Sequence, residues 1–112
     1  MKITGSARMV RIYVGESDKW HGQPLYMAIL LKAREMGLAG ATVLRGLAGY
    51  GAHSRIHTAN ILRLSEDLPM VIEIVDSAEK IKSFLPVLDE MVQEGLIVLC
   101  DVEVVKYSVE SR

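Results

Sequence analysis

The sequence predicts an α+β protein with the ferredoxin-like order β-α-β-β-α-β, in which two helices cover one face of an antiparallel sheet. Four stretches have the alternation or short apolar runs of strands, and two have the apolar spacing of helices. Their order gives two βαβ-like halves, which is the arrangement of the split fold. With 112 residues, half of them hydrophobic and 24% charged, the chain has the size and composition of one globular domain. We therefore assign residues 1–112 to a single domain.

The first half of the chain predicts a strand, a helix and a second strand. Residues Ala7–Val14 alternate between apolar and other side chains, as a half-buried strand does. Pro24 suits the first turn of a helix, and apolar residues then recur at helical spacing as far as Met36. Gly37 stands where a glycine commonly ends a helix, and Ala41–Leu47 follows as the second strand.

The second half predicts a third strand, a second helix and a last strand. The third strand is Leu68–Val75. Asp76 followed by Glu79 is typical of a capping box that opens a helix. Pro86 should kink or split this helix, because proline removes one backbone hydrogen bond and crowds the preceding turn. The last and longest strand is Leu96–Tyr107.

Alternation along these strands separates the side chains into two sheet faces. The face expected under the helices contains Val10, Ile12, Val14, Met70, Ile72, Ile74, Val102 and Val104. The opposite face is expected to contain Arg11, Tyr13, Val43, Arg45, Leu47, Val71, Glu73, Val75, Leu99, Asp101, Glu103, Val105 and Tyr107. This second set is apolar enough to predict an interface with other copies of the chain, although a solvated face remains an alternative. Its ion pairs should form among Arg11, Arg45, Glu73 and Glu103.

The composition excludes several classes of function. A net charge of −1 provides no basic field for nucleic acid or for an anionic membrane. No apolar run approaches the ~20 residues that span a bilayer, and the N-terminus lacks the apolar core of a signal peptide, so we expect a cytoplasmic protein. The single cysteine, Cys100, excludes an internal disulfide, and we expect a buried, inert thiol. We find no constellation that supports catalysis, and the chain is not expected to be an enzyme.

A glycine-rich loop follows the second strand. Gly46, Gly49 and Gly51 lie close together, with Arg45 before them and Tyr50 between them. Glycines at this spacing allow another backbone or a ligand to approach, and successive N–H groups can bind an anion. A simple hairpin tip is the alternative interpretation.

Several motifs in this chain resemble those of one protein family. They are GESDKWHGQPLY (15–26), GLAGATVLRG (37–46), GYG (49–51), Ile56-His57, Leu68-Pro69 and Val102-Glu103-Val104. On these motifs, which extend over nearly the whole sequence, the chain is identified as a member of domain-of-unknown-function family 190. That family is similar to the nitrogen-regulatory PII signalling proteins.

The resemblance implies a PII-like homotrimer in which the open sheet faces turn inward. It also implies a ligand site between subunits for an adenine nucleotide (AMP, ADP or ATP), with no cofactor required. In PII proteins this cleft forms partly where the second strand opens into a long loop that contacts a target protein. The corresponding positions here are Arg45, Gly46, Gly49 and Gly51, and the corresponding loop is an excursion over about residues 49–67.

The chain departs from the PII pattern at the phosphate contacts. PII proteins have a loop with glycine and lysine after the second helix, whereas here residues 93–95 (QEG) lead directly into the last strand. The C-terminal basic residues that PII proteins use are reduced to Lys106 and Arg112. Either the ligand carries fewer phosphates, or the phosphate contacts come from elsewhere. The candidates are three residues of the excursion that alternate along one side of an extended segment: His53, Arg55 and His57.

Two further predictions concern the ligand that these residues could bind. Tyr50 or Trp20 could cover an adenine ring, because an aromatic face stacks on any base. A bare polar loop that contacts only a protein partner is the alternative. His53 and His57 could instead bind a divalent metal, as a trimer similar to the CutA cation-tolerance proteins would, although such a site needs a third ligand.

Overall fold

The computed structural model describes residues 2–52, 56–58 and 67–109. The elements in chain order are β1 (Lys2–Gly15), β2 (Lys19–Trp20), β3 (Gln23–Pro24), α1 (Leu25–Glu35), β4 (Ala41–Arg45), β5 (Ala48–Gly49), β6 (His57–Thr58), β7 (Pro69–Asp76), α2 (Ala78–Met91) and β8 (Leu96–Ser108). The main sheet has the order β4-β7-β1-β8, and all neighbouring strands are antiparallel. The α+β class and the ferredoxin-like order are therefore confirmed.

The hydrophobic core lies between the two helices and one face of the main sheet. Its buried residues are Val10, Ile12, Val14, Leu25, Ala28, Ile29, Ala33, Met70, Ile72, Ile74, Ile81, Phe84, Leu88 and Met91. The predicted inward residues of β1 and β7 are confirmed, because alternate side chains of both strands are buried there. Neither helix within the described residues is long and apolar enough to cross a membrane.

The end of α1 confirms the role predicted for Gly37. Gly37 has a φ of +77°, a conformation that an L side chain adopts only with strain. The turn is closed by backbone hydrogen bonds from Leu38 N to Ala33 O (3.0 Å) and from Gly37 N to Arg34 O (3.1 Å). Leu38 then packs against the core, which completes a Schellman-type helix end.

The start of α2 is displaced by one residue from the prediction. Ser77 is the N-cap, and its Oγ accepts a hydrogen bond from Lys80 N (3.3 Å). Asp76 continues the alternation of β7 onto the helix side, where its buried carboxylate accepts bonds from Ala39 N (2.8 Å) and Ser77 N (2.6 Å). The Asp76 carboxylate therefore fixes the α1–β4 connection instead of capping the helix.

Pro86 lies inside α2 without dividing it. The helix runs from Ala78 to Met91 as one element, so the expected split does not occur. Pro86 is on the exposed side, while Phe84 and Leu88 attach the helix to the core. The carbonyl that loses its partner belongs to Lys82, which is exposed, and water can supply the missing bond.

β1 begins five residues earlier than the sequence pattern indicates. Its first residues pair with the C-terminal half of β8, and the register shifts between Ile3 and Gly5. Gly5 has a φ of +87°, and the surrounding segment lacks clean apolar alternation. The partner strand, and not the local pattern, therefore determines where β1 begins.

The face assignments of β4 and β8 were partly wrong. Directly paired residues of antiparallel strands share a face. Val43 pairs with Ile72 and Arg45 with Met70, so both lie on the helix side. The same argument moves Leu99 and Asp101 to the helix side and Val102 to the opposite face, because their partners are Val10, Arg8 and Ala7. Both alternating sets of β8 contain apolar residues, so alternation alone could not distinguish its faces.

We define the open sheet face by the cross-strand rows that point away from the helices. These rows contain Leu44–Val71–Tyr13–Leu96, Thr42–Glu73–Arg11–Val98, Val75–Met9–Cys100 and Val102. Most of these side chains are apolar, and Leu44 and Leu96 are 49% and 55% exposed. Cys100 lies here, half-buried, and not in the core as expected.

The charged pair on the open sheet face is satisfied within the chain. Arg11 Nη2 lies 2.7 Å from Glu73 Oε2, which confirms one of the predicted ion pairs. The hydrogen bond to Glu73, with a smaller contribution from Tyr13, raises the pKa of Arg11 above its ordinary value. A raised pKa stabilises the fold at every pH below the unfolded value, so the charge of Arg11 introduces no pH dependence near neutrality.

Candidate ligand site at the strand ends

Three chain segments meet where β1 and β4 end and β7 begins. We call them the strand-end cluster, and they are residues 15–18, residues 45–46 and residues 67–69. Residues 15–18 lead from β1 towards the β2–β3 hairpin. Residues 45–46 lead out of β4 towards the excursion, and residues 67–69 lead from it into β7. The cluster therefore joins the segments on both sides of the excursion to the end of β1.

Residues 67–69 hold the cluster together through hydrogen bonds. Asp67 Oδ1 accepts from Ser17 N (2.7 Å), and Leu68 O accepts from Glu16 N (2.8 Å). Pro69 O accepts from Gly46 N (2.7 Å). The two ends of the excursion are therefore fixed to each other and to the 15–18 turn by backbone groups and by the Asp67 carboxylate.

Arg45 is the cationic side chain of the strand-end cluster. Its Nη2 donates to Glu16 Oε1 at 3.0 Å, and not to Glu73 or Glu103 as the sequence suggested. The Arg45 side chain is 58% exposed, whereas that of Glu16 is 28% exposed. A guanidinium carries five N–H donors, so Arg45 can also bind an anion from solvent.

Gly46 and Gly49 owe their place to close packing against Pro69. A Cβ at Gly46 would lie 2.7 Å from Pro69 Cγ, and one at Gly49 would lie 3.2 Å from it. The Gly46 N–H already donates to Pro69 O. Gly46 is thus required for the chain to pass the proline ring, and its role in ligand binding stays a prediction.

Replacing Gly46 by alanine should destabilise the protein by about 1–3 kcal/mol, because the new methyl group overlaps a rigid proline ring. Urea unfolding followed by the fluorescence of Trp20 measures this loss. Gly51→Ala is the matched control, since nothing lies within 4 Å of its Cβ position. Equal stability of the two variants would contradict the packing role.

The aromatic candidates differ in their accessibility. Trp20 is half-buried against the core, and its ring stacks on His21 with centroids 4.2 Å apart. Tyr50 is 72% exposed. Of the two residues predicted to stack on adenine, Tyr50 is the more accessible in the isolated chain.

The structure does not describe the side chains of the three residues predicted to contact phosphate from the excursion. His53 and Arg55 lie outside the described residues. The backbone of His57 pairs with Gly49 in the β5–β6 ribbon, and its side chain is also outside the description. Among the described residues, no group of three or more His, Cys, Asp or Glu side chains could hold a metal ion.

Sequence reasoning missed Glu16 and Asp67 as members of the cluster. Glu16 belongs to the GESDKW motif, but the motif gave no indication that its carboxylate reaches Arg45. Asp67 lies two residues before β7, at a position that alternation does not interpret. Both contacts join residues far apart in the sequence, and only the folded sheet brings them together.

Solved structures place the chain in the PII-like class of fold. A PII-like protein from Thermus thermophilus superimposes with a TM-score of 0.65 at 18% identity, over 90% of this chain and 91% of that one. CPII, a nitrogen regulatory PII-like protein from Thiomonas intermedia solved with ADP, AMP and bicarbonate, gives 0.62 at 12% identity, over 99% and 100%. CutA from Synechococcus elongatus also gives 0.62 at 12% identity, over 96% and 86%.

Sequence comparison then gives the family. The chain belongs to the DUF190 family (Uncharacterized ACR, COG1993), whose model matches residues 7–104. A UPF0166 protein of Aquifex aeolicus is 43% identical over 98 residues, covering 88% of this chain and 92% of that protein. A UPF0166 protein of Methanocaldococcus jannaschii is 40% identical over 101 residues, covering 89% and 93%. The family predicted from the motifs is therefore confirmed.

Proposed function

We propose that this protein is a cytoplasmic, PII-like regulatory module that forms a homotrimer. It binds an adenine nucleotide between subunits and signals to a target protein through the excursion at about residues 49–67. The protein acts by binding and does not catalyse a reaction. A ligand can drive such signalling only if it has different affinities for two states of the excursion.

The observation that carries this proposal is the position of Arg45. This exposed guanidinium stands at the last residue of β4, where the chain leaves the main sheet towards the excursion. The PII-like protein CPII, which has the same fold, was solved with ADP and AMP. A cation at the base of the loop suits a nucleotide phosphate, because arginine and phosphate form strong, charge-assisted hydrogen bonds.

The homotrimer is supported by the open sheet face. Its rows are apolar apart from Thr42 and the Arg11–Glu73 pair, which is already formed within the chain. Covering this face with two other copies would therefore bury apolar side chains without leaving an unpaired charge. An apolar face of this composition is otherwise unfavourable in water.

A divalent-metal-binding trimer that uses His53 and His57 is the second candidate. The likeness to CutA supports it, since CutA and CPII each superimpose on this chain with a TM-score of 0.62. The fold therefore does not discriminate between the two candidates, and only the identity of the bound ligand can.

A thermal-unfolding panel tests the proposal. The protein is melted with AMP, ADP, ATP or cyclic AMP, each with and without Mg²⁺, and with Zn²⁺ or Cu²⁺ alone. A ligand that binds only the folded state stabilises it by mass action, by about 2.7 kcal/mol at a hundred times its Kd. We expect a rise in Tm with one adenine nucleotide and none with Zn²⁺ or Cu²⁺.

Variants connect the response to the site. Arg45→Ala should weaken nucleotide binding about ten- to a hundredfold, because a hydrogen bond to a charged group contributes about 1.5–3 kcal/mol. Arg34→Ala removes the same charge from an exposed position near the end of α1 and serves as the matched control. A Tm rise with metal alone that disappears in His57→Ala would favour the second candidate. No rise with any ligand would overturn both.

A further inference from the structure

We propose that Glu16 is an internal competitor for the anionic ligand of Arg45. In the free protein its carboxylate is bonded to one side of the guanidinium, and a phosphate group must displace it to bind both nitrogens of the guanidinium fork. This inference rests on the proposed function, since it takes Arg45 as part of the ligand site. It adds a regulatory residue that weakens binding and thereby sets the ligand concentration to which the protein responds.

The backbone of Glu16 is fixed, but its side chain can move. Glu16 N donates to Leu68 O at 2.8 Å, and the next amide, Ser17 N, donates to Asp67 Oδ1 at 2.7 Å. The Glu16 carboxylate is therefore always within reach of Arg45. Its described hydrogen bond is the single contact with Arg45 Nη2, so rotation of one long side chain is enough to release the guanidinium.

The neighbouring carboxylates cannot take this role. Asp18 Oδ2 accepts from Gly15 N at 2.8 Å, and Asp67 accepts from Ser17 N, so both are held by backbone amides of the turn. The Glu16 carboxylate is instead bonded to the Arg45 side chain, which is 58% exposed. An ion pair this exposed is weak. A phosphate offers more charge and two oxygens to the guanidinium fork, and can therefore replace a singly bonded carboxylate.

Displacement also leaves a negative charge beside the bound phosphate. The released Glu16 carboxylate stays near, because its backbone is anchored to Leu68. It then repels the phosphate through partly solvated surroundings, where salt screens the interaction. Removing this charge should strengthen binding, and the gain should decrease as ionic strength rises.

The test compares the full-length wild-type protein with Glu16→Gln, which keeps the shape of the side chain and removes its charge. Binding of ADP and of inorganic pyrophosphate is measured by titration calorimetry at low and at high salt, about 20 mM and 300 mM. We expect about two- to fivefold tighter binding of both probes at low salt, and a smaller gain at high salt. Melting curves without ligand verify that each variant is folded.

Two controls isolate the Glu16–Arg45 contact. Asp101→Asn removes the same charge from another exposed ion pair, with Arg8, at the opposite end of the sheet, and should leave both affinities unchanged. In an Arg45→Ala background, Glu16→Gln should no longer tighten binding. A gain that persists without Arg45 would overturn the inference.

The outcomes distinguish the inference from the proposed function. Tighter binding of pyrophosphate by Glu16→Gln, with no ADP binding by any variant, would support the competitor role and overturn the nucleotide proposal. Measurable ADP binding that Glu16→Gln leaves equal or weakens would overturn the competitor role alone. No binding of either probe to any variant would overturn both.

Discussion

Replacing Leu44 by aspartate is expected to convert the proposed homotrimer into monomers while each chain remains folded. Leu44 lies on the open sheet face beside Val71 and is 49% exposed in the single chain, so the monomer tolerates a polar side chain there. In the trimer the same carboxylate would be buried without a partner, which costs several kcal/mol. A loss of about 3 kcal/mol weakens the association of each chain about a hundredfold. Light scattering at micromolar protein measures the change in mass.

Leu99→Asp provides the matched control for this change. Leu99 is 41% exposed, but it pairs with Val10 and therefore lies on the helix side of β8. This variant should keep the wild-type mass, and both variants should keep the far-ultraviolet circular dichroism of the wild type. A trimer that survives Leu44→Asp would contradict the assembly through the open sheet face.

Replacing Phe84 by alanine is expected to have the largest effect on stability. Phe84 is completely buried between α2 and the sheet, and its loss leaves a cavity that the packed strands cannot fill. Such substitutions cost about 3–5 kcal/mol, a large part of the about 5–15 kcal/mol that stabilises a typical domain. Urea unfolding followed by the fluorescence of Trp20 gives the free-energy difference.

The comparison must be made at one protein concentration, because the proposed assembly would contribute to apparent stability. Leu85→Ala, at the adjacent half-buried position of the same helix, is the control and should lose less than about 2 kcal/mol. Equal losses at the two positions would show that α2 does not pack on the sheet through Phe84.

The fold could be predicted because local signals agreed with the global arrangement. Gly37 ends α1 with positive φ, and β7 buries every second residue, as its alternation indicates. The predictions are wrong where a residue distant in the sequence determines the position of a side chain. Asp76 was interpreted as a helix cap, but its carboxylate bonds to Ala39, which is 37 positions away.

The sheet faces illustrate the same limit. In β1 the contrast between inward Ile12 and outward Arg11 makes the face readable from sequence. In β8 both alternating sets are apolar, and pairing with β1 decides that Leu99 and not Val98 faces the helices. An error of one residue in the assignment moves every side chain of the strand to the other face of the sheet, because the side-chain period is two.

The sequence predicts which residues form the candidate site, but it does not indicate the contacts between them. The structure ends β4 at Arg45, two residues before the predicted end at Leu47. The partner of Arg45, however, is Glu16, which comes from the turn after β1. This contact joins residues 29 positions apart, and neither alternation nor the motifs indicate it.

Native mass spectrometry with ADP tests the central claim most directly, because it measures assembly and ligand together. We predict a species of three 12.4 kDa chains that carries up to three ADP molecules, and fewer ADP molecules in Arg45→Ala at the same nucleotide concentration. A monomer without ADP at micromolar protein and millimolar nucleotide would contradict the proposed nucleotide-binding trimer.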